Sequence, residues 1–265
     1  MASAPSSLVP TLESSSATSV LKPQGAPAVL VSTTALAFDV GIRNLAYCKL
    51  YVEIDTANSV PTKWYVLSWN NLDVLSESPD INANTSPTSE IVTKFHHVMG
   101  PRMPALLETN PGKVEVAFIE AQPLARLDKP YNVKTKILSH VLQALVEQHG
   151  VPVEFVSPSL RPRDERVSTA RPVETVDDSG IFRPTKRARY VEKKRDAVER
   201  AEHALEAAQW GENEAWLTWF RAQPKRDDLA DSLLECLAAA ERRLDASVLS
   251  YPRRLPAAAT RATVT

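Results

Sequence analysis

Apolar residues in this chain come in short runs of two different periods. ALAFDV at 35–40 is an apolar run of buried-strand length, broken only by Asp39 near its end. NLAYCKLYVEI at 44–54 alternates, with Leu45, Tyr47 and Lys49 on one side and Ala46, Cys48 and Leu50 on the other. GIRN between them is a turn, and KWYVLSWNNLDVL at 63–75 is a third strand, rich in Trp and Val. Three strands in succession predict an antiparallel meander. VEVAFIE at 114–120 and VPVEFVSP at 151–158 read as a fourth and a fifth strand. The other runs have helical spacing. Ser89 is placed to cap a helix through IVTKFHHVM to about Leu107, which Pro101 and Pro104 must disturb. In 131–150, Val133, Ile137, Val141, Leu142, Leu145 and Val146 fall on one helical face and Gly150 is a stop. Further helices are expected from Tyr190 to about Trp210 and from Arg226 to Leu244, with a short Trp-rich segment between. The order predicts an α/β domain with a central mixed five-stranded sheet flanked by helices.

Three stretches lack either period. Residues 1–34, rich in Ser, Ala, Pro and Thr, read as a disordered tail, and 251–265 as a flexible one. Residues 158–189 are polar and Pro-rich and read as a poorly ordered insertion in a single domain spanning 35–250. Twenty Pro against 7 Gly fits long irregular connections. The net charge of −1 announces no nucleic-acid partner, so any such signal must be local. Cys48 and Cys236 lie in apolar patterns and read as buried thiols of a reducing compartment. No run reaches the roughly 20 apolar residues that span a bilayer, and the start does not read as a secretory signal. A transit peptide is disfavoured because Lys22 is the one basic residue before position 35. An intracellular protein without a membrane is expected.

Acidic residues stand where the apolar runs end. Asp39 precedes the GIRN turn, Glu120 closes VEVAFI, and Asp228 and Asp231 share one face of the last helix. Each has an ordinary reading: Asp before Gly forms turns, a Glu at a strand end is solvated, and an acidic first turn suits the helix dipole. On a helical wheel Asp228 even points away from the apolar arc of Leu229, Ala230, Leu233, Leu234 and Leu237. Together the acids say more. If the first and fourth strands are adjacent and parallel, Asp39 and Glu120 meet at their carboxyl edge, and the last helix completes four carboxylates. Such a set suits two hard divalent cations about 3.5–4 Å apart, the arrangement of two-metal phosphodiester hydrolysis. No HExxH, Walker A, GxSxG or paired CxxC motif competes.

FDVGIRNLAYC, IEAQP and KRDDLADSLL resemble the signature segments of the RNase H-like Holliday junction resolvases, over roughly 35–157 and 186–244. The nearest branch is that of the poxvirus-type and fungal mitochondrial enzymes, distant relatives of bacterial RuvC, and the IE-x-QP form is nearer the viral side. The resemblance implies an RNase H-like fold and a Mg²⁺-dependent endonuclease, with Mn²⁺ as substitute, resolving four-way DNA junctions. It implies that Asp39 bridges the metals, Glu120 holds one, and Asp228 and Asp231 complete the set, with Asp227 an alternative register for Asp228. It also implies that Lys193 or Lys194 contacts the scissile phosphate.

Residues 183–195 hold Arg183, Lys186, Arg187, Arg189, Lys193, Lys194 and Arg195 against Glu192, a local charge of +6. Phosphate contacts need such a cluster, although a solvated helix face or an import signal would read alike. Two equivalent cuts across a junction call for a homodimer, with the helix at 131–149 as candidate contributor. His96 and His97 read as surface residues and the Trp residues as mostly core. The rivals are an RNase H-like nuclease for hybrids or DNA ends, and a non-catalytic DNA-binding protein of the same fold. Viral replication site, nucleus and mitochondrion all suit the chemistry.

Overall fold

The computed structural model describes residues 30–55, 60–76, 80–108, 113–122, 130–157, 174–176, 182–184, 186–208 and 211–250. The meander forms as the alternation requires: β1 (Leu30–Val40), β2 (Asn44–Asp55) and β3 (Val60–Asp73) pair antiparallel in sequence order. β4 (Val116–Glu120) joins the other side of β1 in parallel, and β5 (Val153–Val156) joins β4 in parallel. The sheet order β3-β2-β1-β4-β5, antiparallel then parallel about β1, is that of the RNase H-like fold.

Two apolar cores lie on opposite faces of this sheet. Leu36, Phe38 and Val40 of β1, with Leu45 and Tyr47 of β2, face α1 (Thr88–Met99), α2 (Met103–Leu107) and α3 (Pro130–Glu147). Ala35 and Ala37, with Cys48 and Leu50, face α4 (Lys186–Ala207), α5 (Gly211–Arg221) and α6 (Asp227–Ser250). The small side chains of β1 let α6 lie close on the second face. Trp69 of β3, wholly buried, stacks on Phe220 with centroids 4.7 Å apart and packs against Trp216 and Trp219, so these Trp are core, as expected. Trp210 lies outside the described residues. Asn213, also buried, uses its amide as a strand would: Oδ1 accepts from the Val66 N–H and Nδ2 donates to the Trp64 carbonyl.

Two lysines are buried on the first face. Lys49 donates to the Leu106 carbonyl at the end of α2, and Lys134 donates to the carbonyls of Ala83, Asn84 and Ser86 at 2.8–3.1 Å. Each satisfies backbone acceptors that no helix or strand serves.

Several boundaries differ from the sequence reading. β1 begins at Leu30, inside the stretch read as tail, because Val31–Thr34 pair with Tyr51–Ile54; residues 1–29 lie outside the described ones. Pro87, not Ser89, occupies the N-cap of α1, and the helix breaks into a 3₁₀ turn at Gly100–Arg102 where Pro101 cannot donate. The 158–189 stretch holds a small ribbon, β6 (Glu174–Val176) with β7 (Phe182–Pro184), and α4 starts at Lys186 instead of Tyr190. α6 continues past Leu244 to Ser250. Gly150 stops α3 as expected, at φ 71°. His96 and His97 are exposed, and both cysteines are buried free thiols.

Candidate active site

The register of the parallel pair places the first two acids. Phe38 pairs with Ile119, so Asp39 and Glu120 are the next residues on adjacent parallel strands, side by side at the carboxyl edge. Parity sets their face. Asp39 follows Ala35 and Ala37, and Glu120 follows Val116 and Phe118, all in the core beneath α4–α6. Both acids are half-buried. The chain on either side is pinned. Val40 and Ile42 are buried flanking Gly41, the Val74 N–H donates to the Arg43 carbonyl at 3.1 Å, and the Ala121 N–H donates to the Val156 carbonyl at 2.7 Å. Gly41 is required by contact: a Cβ there would lie 2.6 Å from the Asn44 carbonyl oxygen. The GIRN turn is thus closed tightly by the Asn44 backbone against Gly41.

α6 brings the other acids to this face. Its buried stripe of Leu229, Ala230, Leu233, Leu234 and Leu237 packs on the sheet. The Trp69 indole N–H donates to the Leu229 carbonyl at 3.1 Å and lies 3.2 Å from Ser232 Oγ, fixing the first turns of the helix above β3. Asp227, Asp228 and Asp231 are all half-buried. The wheel had Asp228 facing water, yet its side chain is only 18% exposed, because Lys225 folds over it.

Two lysines hold this acidic end. Lys194 of α4 ion-pairs with Asp227, and Lys225 ion-pairs with Asp228. Burial alone would lower the Lys194 pKa, but the hydrogen bond and charge of Asp227, with Tyr190 beside it, hold it above the usual lysine range. Burial raises Asp227, and the Lys194 bond and charge overcome it, leaving its carboxyl below the ordinary value. Asp228 is pushed up, by burial first and by the charge of Asp227, with Lys225 opposing. The two neighbouring acids, which spacing left equivalent, are therefore unlike. Asp227 ties α6 to α4, while Asp228 is held by Lys225 of the loop before α6.

The structure thus puts Asp39 and Glu120 side by side and Asp228 and Asp231 on the helix that covers their face. It does not assemble a finished cage: among the described residues no three His, Cys, Asp or Glu side chains stand close enough to hold a metal. Lys194 is partly covered by its partner, whereas Lys193 and Arg195 are exposed on α4. The side chains of Arg183, Lys186, Arg187 and Arg189 lie outside the described residues. Lys225 and Glu235 were not singled out in the sequence. Glu235 is a buried carboxylate one helical turn beyond Asp231, and its i+4 position was the available signal.

The family model of "Mitochondrial resolvase Ydc2 / RNA splicing MRS1" matches residues 35–193, more than half of the chain. The chain belongs to this family. The match contains Asp39, Glu120 and Lys193 and ends before α6. It falls on the mitochondrial side of the resemblance, where IEAQP alone pointed toward the viral side. No curated protein matches the chain. Among solved structures, T. thermophilus RuvC in complex with a Holliday junction substrate is 16% identical, covering 80% of this chain and 96% of that one at a TM-score of 0.41. The Aquifex aeolicus PPX-GPPA enzyme is 12% identical, covering 50% and 38% at 0.28. At these scores neither likeness assigns a residue of the family member described here.

Proposed function

We propose that this chain is a divalent-metal-dependent endonuclease that resolves four-way DNA junctions. One observation carries the reading: Asp39 and Glu120 stand side by side at the carboxyl edge of β1 and β4, on the face covered by the helix that opens with Asp228 and Asp231. An all-carboxylate donor set suits a hard cation, and the lysine ammonium on Asp228 marks this corner as a place where positive charge is held. Mg²⁺, or Mn²⁺ in its place, would supply the charge that activates a water and stabilises the leaving oxygen. Asp39, Glu120, Asp228 and Asp231 would hold it. Lys194 and Lys225 offset the negative charge of the neighbouring Asp227 and Asp228. When phosphate arrives, they are placed to turn from carboxylate to backbone oxygen, and the Lys186–Arg195 helix start supplies further positive charge. Lys194 is therefore favoured over Lys193 as the contact to the scissile phosphate.

The family description also names an RNA-splicing protein, so the second reading is a nucleic-acid-binding protein that does not cut. One experiment separates them. Purified protein is given labelled junction, duplex, flap and RNA–DNA hybrid with Mg²⁺, with Ca²⁺ or with EDTA. Paired cuts in the junction are expected with Mg²⁺ and none with EDTA. Asp39→Asn and Asp231→Asn should each abolish cutting and leave junction binding intact or tighter. Cutting in EDTA would overturn the metal assignment, and binding without cutting in any metal would establish the second reading. The mitochondrion is the compartment to examine first. Among the described residues no helix is long and apolar enough to cross a membrane.

A further inference from the structure

Among the described residues, Tyr190 is the one aromatic ring left largely in solvent beside the acidic corner, at 59% exposure. Its position on α4 explains how it gets there. Ala197, Ala201 and Leu205 form the buried stripe by which this helix packs on the core. At about 100° per residue the same stripe, followed back toward the N-terminus, passes through Lys194 and then Tyr190. The face that points inward in the second half of α4 therefore runs off the edge of the core in the first half. There Lys194 turns to Asp227, and its ammonium lies 4.9 Å from the centre of the Tyr190 ring. Only one lysine side chain separates the ring from the acid next to Asp228. Val191, equally exposed, extends the apolar surface to the side, and Lys193 and Arg195 flank it.

A single apolar residue at a surface is ordinary and needs no explanation. A flat ring beside a second exposed apolar side chain, amid cations and one side chain from a proposed nuclease site, is the combination that holds nucleic acid out of its stack. Cations take the backbone, and the ring takes a base face, whatever the base. Fully paired duplex offers no free base face. At a branch point the exchanging strands change partners, so the pairs there lack a continuous backbone on both strands and their bases are opened at lower cost.

We propose that Tyr190 stacks on an unstacked base at the branch point and so positions the adjacent phosphate at the acidic corner. This rests on the junction reading above and adds to it the element that tells branched from continuous DNA. Tyr190 is a positioning residue, with the chemistry left to the acids.

The test uses the full chain, Ca²⁺ as the metal, and an immobile four-way junction beside a duplex of the same arm sequence. Because the ring is exposed, Tyr190→Ala leaves no cavity, and its melting temperature verifies folding. It should weaken junction binding about 5- to 150-fold, the range of losing one stacked base. Duplex binding should change less than about twofold, since the cations remain. Tyr190→Phe keeps the ring without the hydroxyl beside Lys194 and should restore junction binding. In the wild type, 5-iododeoxyuridine at a branch-point position should photo-crosslink to Tyr190, and the same nucleotide in an arm should not. Wild-type junction preference that survives Tyr190→Ala overturns the inference alone, as does a variant that weakens junction and duplex equally. Wild-type protein with no preference for junction over duplex overturns the junction reading and this inference with it.

Discussion

Asp227 and Asp228 are adjacent, chemically identical, and oppositely perturbed, so each has its own expected phenotype. The Lys194–Asp227 pair contributes fully between the two ordinary values, 3.8 for the acid and 10.5 for the amine. It is lost as pH falls through the depressed carboxyl value, or rises through the elevated amine value. Asp227→Asn should cost about 1 kcal/mol at neutral pH, a fall of roughly 2–4 °C in Tm, since the pair is only partly shielded from water. Asp228→Asn should leave Tm in place and reduce cleavage on the order of 100-fold or more, the scale of losing a group that acts at the transition state. Thermal scans beside junction assays on both variants test the assignment, and the opposite pattern would exchange the two residues. Lys49 gives a second titration. Burial lowers its pKa to about 8 from 10.5. Between those values the unfolded chain holds a proton that the folded one has released, so stability rises with pH. Relative to Lys49→Met, the wild type should gain on the order of 2–3 kcal/mol from pH 7 to pH 10.5 in urea titrations. No relative gain would mean that Lys49 keeps its charge beside Leu106. Asp39 and Glu120 were legible in the sequence because each ends an apolar run, and Asp228 and Asp231 because they open the last helix. Their unlike partners were not, because Lys194 lies 33 residues from Asp227 and nothing local links them.

At the scale of elements, long periodic segments were legible and short or polar ones were not. The meander, β4, β5 and α3 announce themselves by alternation or by a six-residue helical stripe. The three-residue strands β6 and β7 carry no period at all, and the first turn of α4, KRAR, shows only charge. What positions α6 was equally hidden: the indole of Trp69 reaches a carbonyl 160 residues away. Trp69→Phe keeps a ring against Phe220 but removes that donor and part of the packing volume. It should cost about 1–3 kcal/mol, the sum of a modest cavity and a lost buried hydrogen bond. Because α6 carries Asp228 and Asp231, single-turnover cleavage should slow more than junction affinity falls. Equal rates at lower stability would show that α6 holds its place without the indole.

For the whole molecule, the open question is the second copy. On α3, the helix expected to contribute to a dimer, Leu142 and Leu145 are buried in the core beneath it, so the sheet claims them. Ile137 is not claimed: it, Val133 one turn before it and Phe155 on the edge strand β5 are each 38% exposed, and the His140 ring of α3 lies 5.1 Å from that of Phe155. We propose these exposed apolar residues as the homodimer contact, because under the proposed junction reading two cuts need two sites about a two-fold axis. Light scattering should give twice the chain mass for the wild type. The Val133→Glu, Ile137→Glu double variant should give one chain mass with Tm little changed. A wild-type monomer that still cuts both strands would remove the dimer and leave the acidic site as it stands.

The helix that carries Asp228 and Asp231 is synthesised long after the strands it covers. Its seat includes Ala35, Ala37, Cys48, Leu50 and Trp69, all between positions 35 and 69. At about 5–20 residues per second, those residues wait on the order of ten seconds or more for α6 to emerge. A half-made chain therefore presents a sticky, aliphatic sheet face that invites chaperones, but its acids are still apart. If the four acids cut DNA as proposed, cleavage waits until α6 has docked on a sheet made long before it.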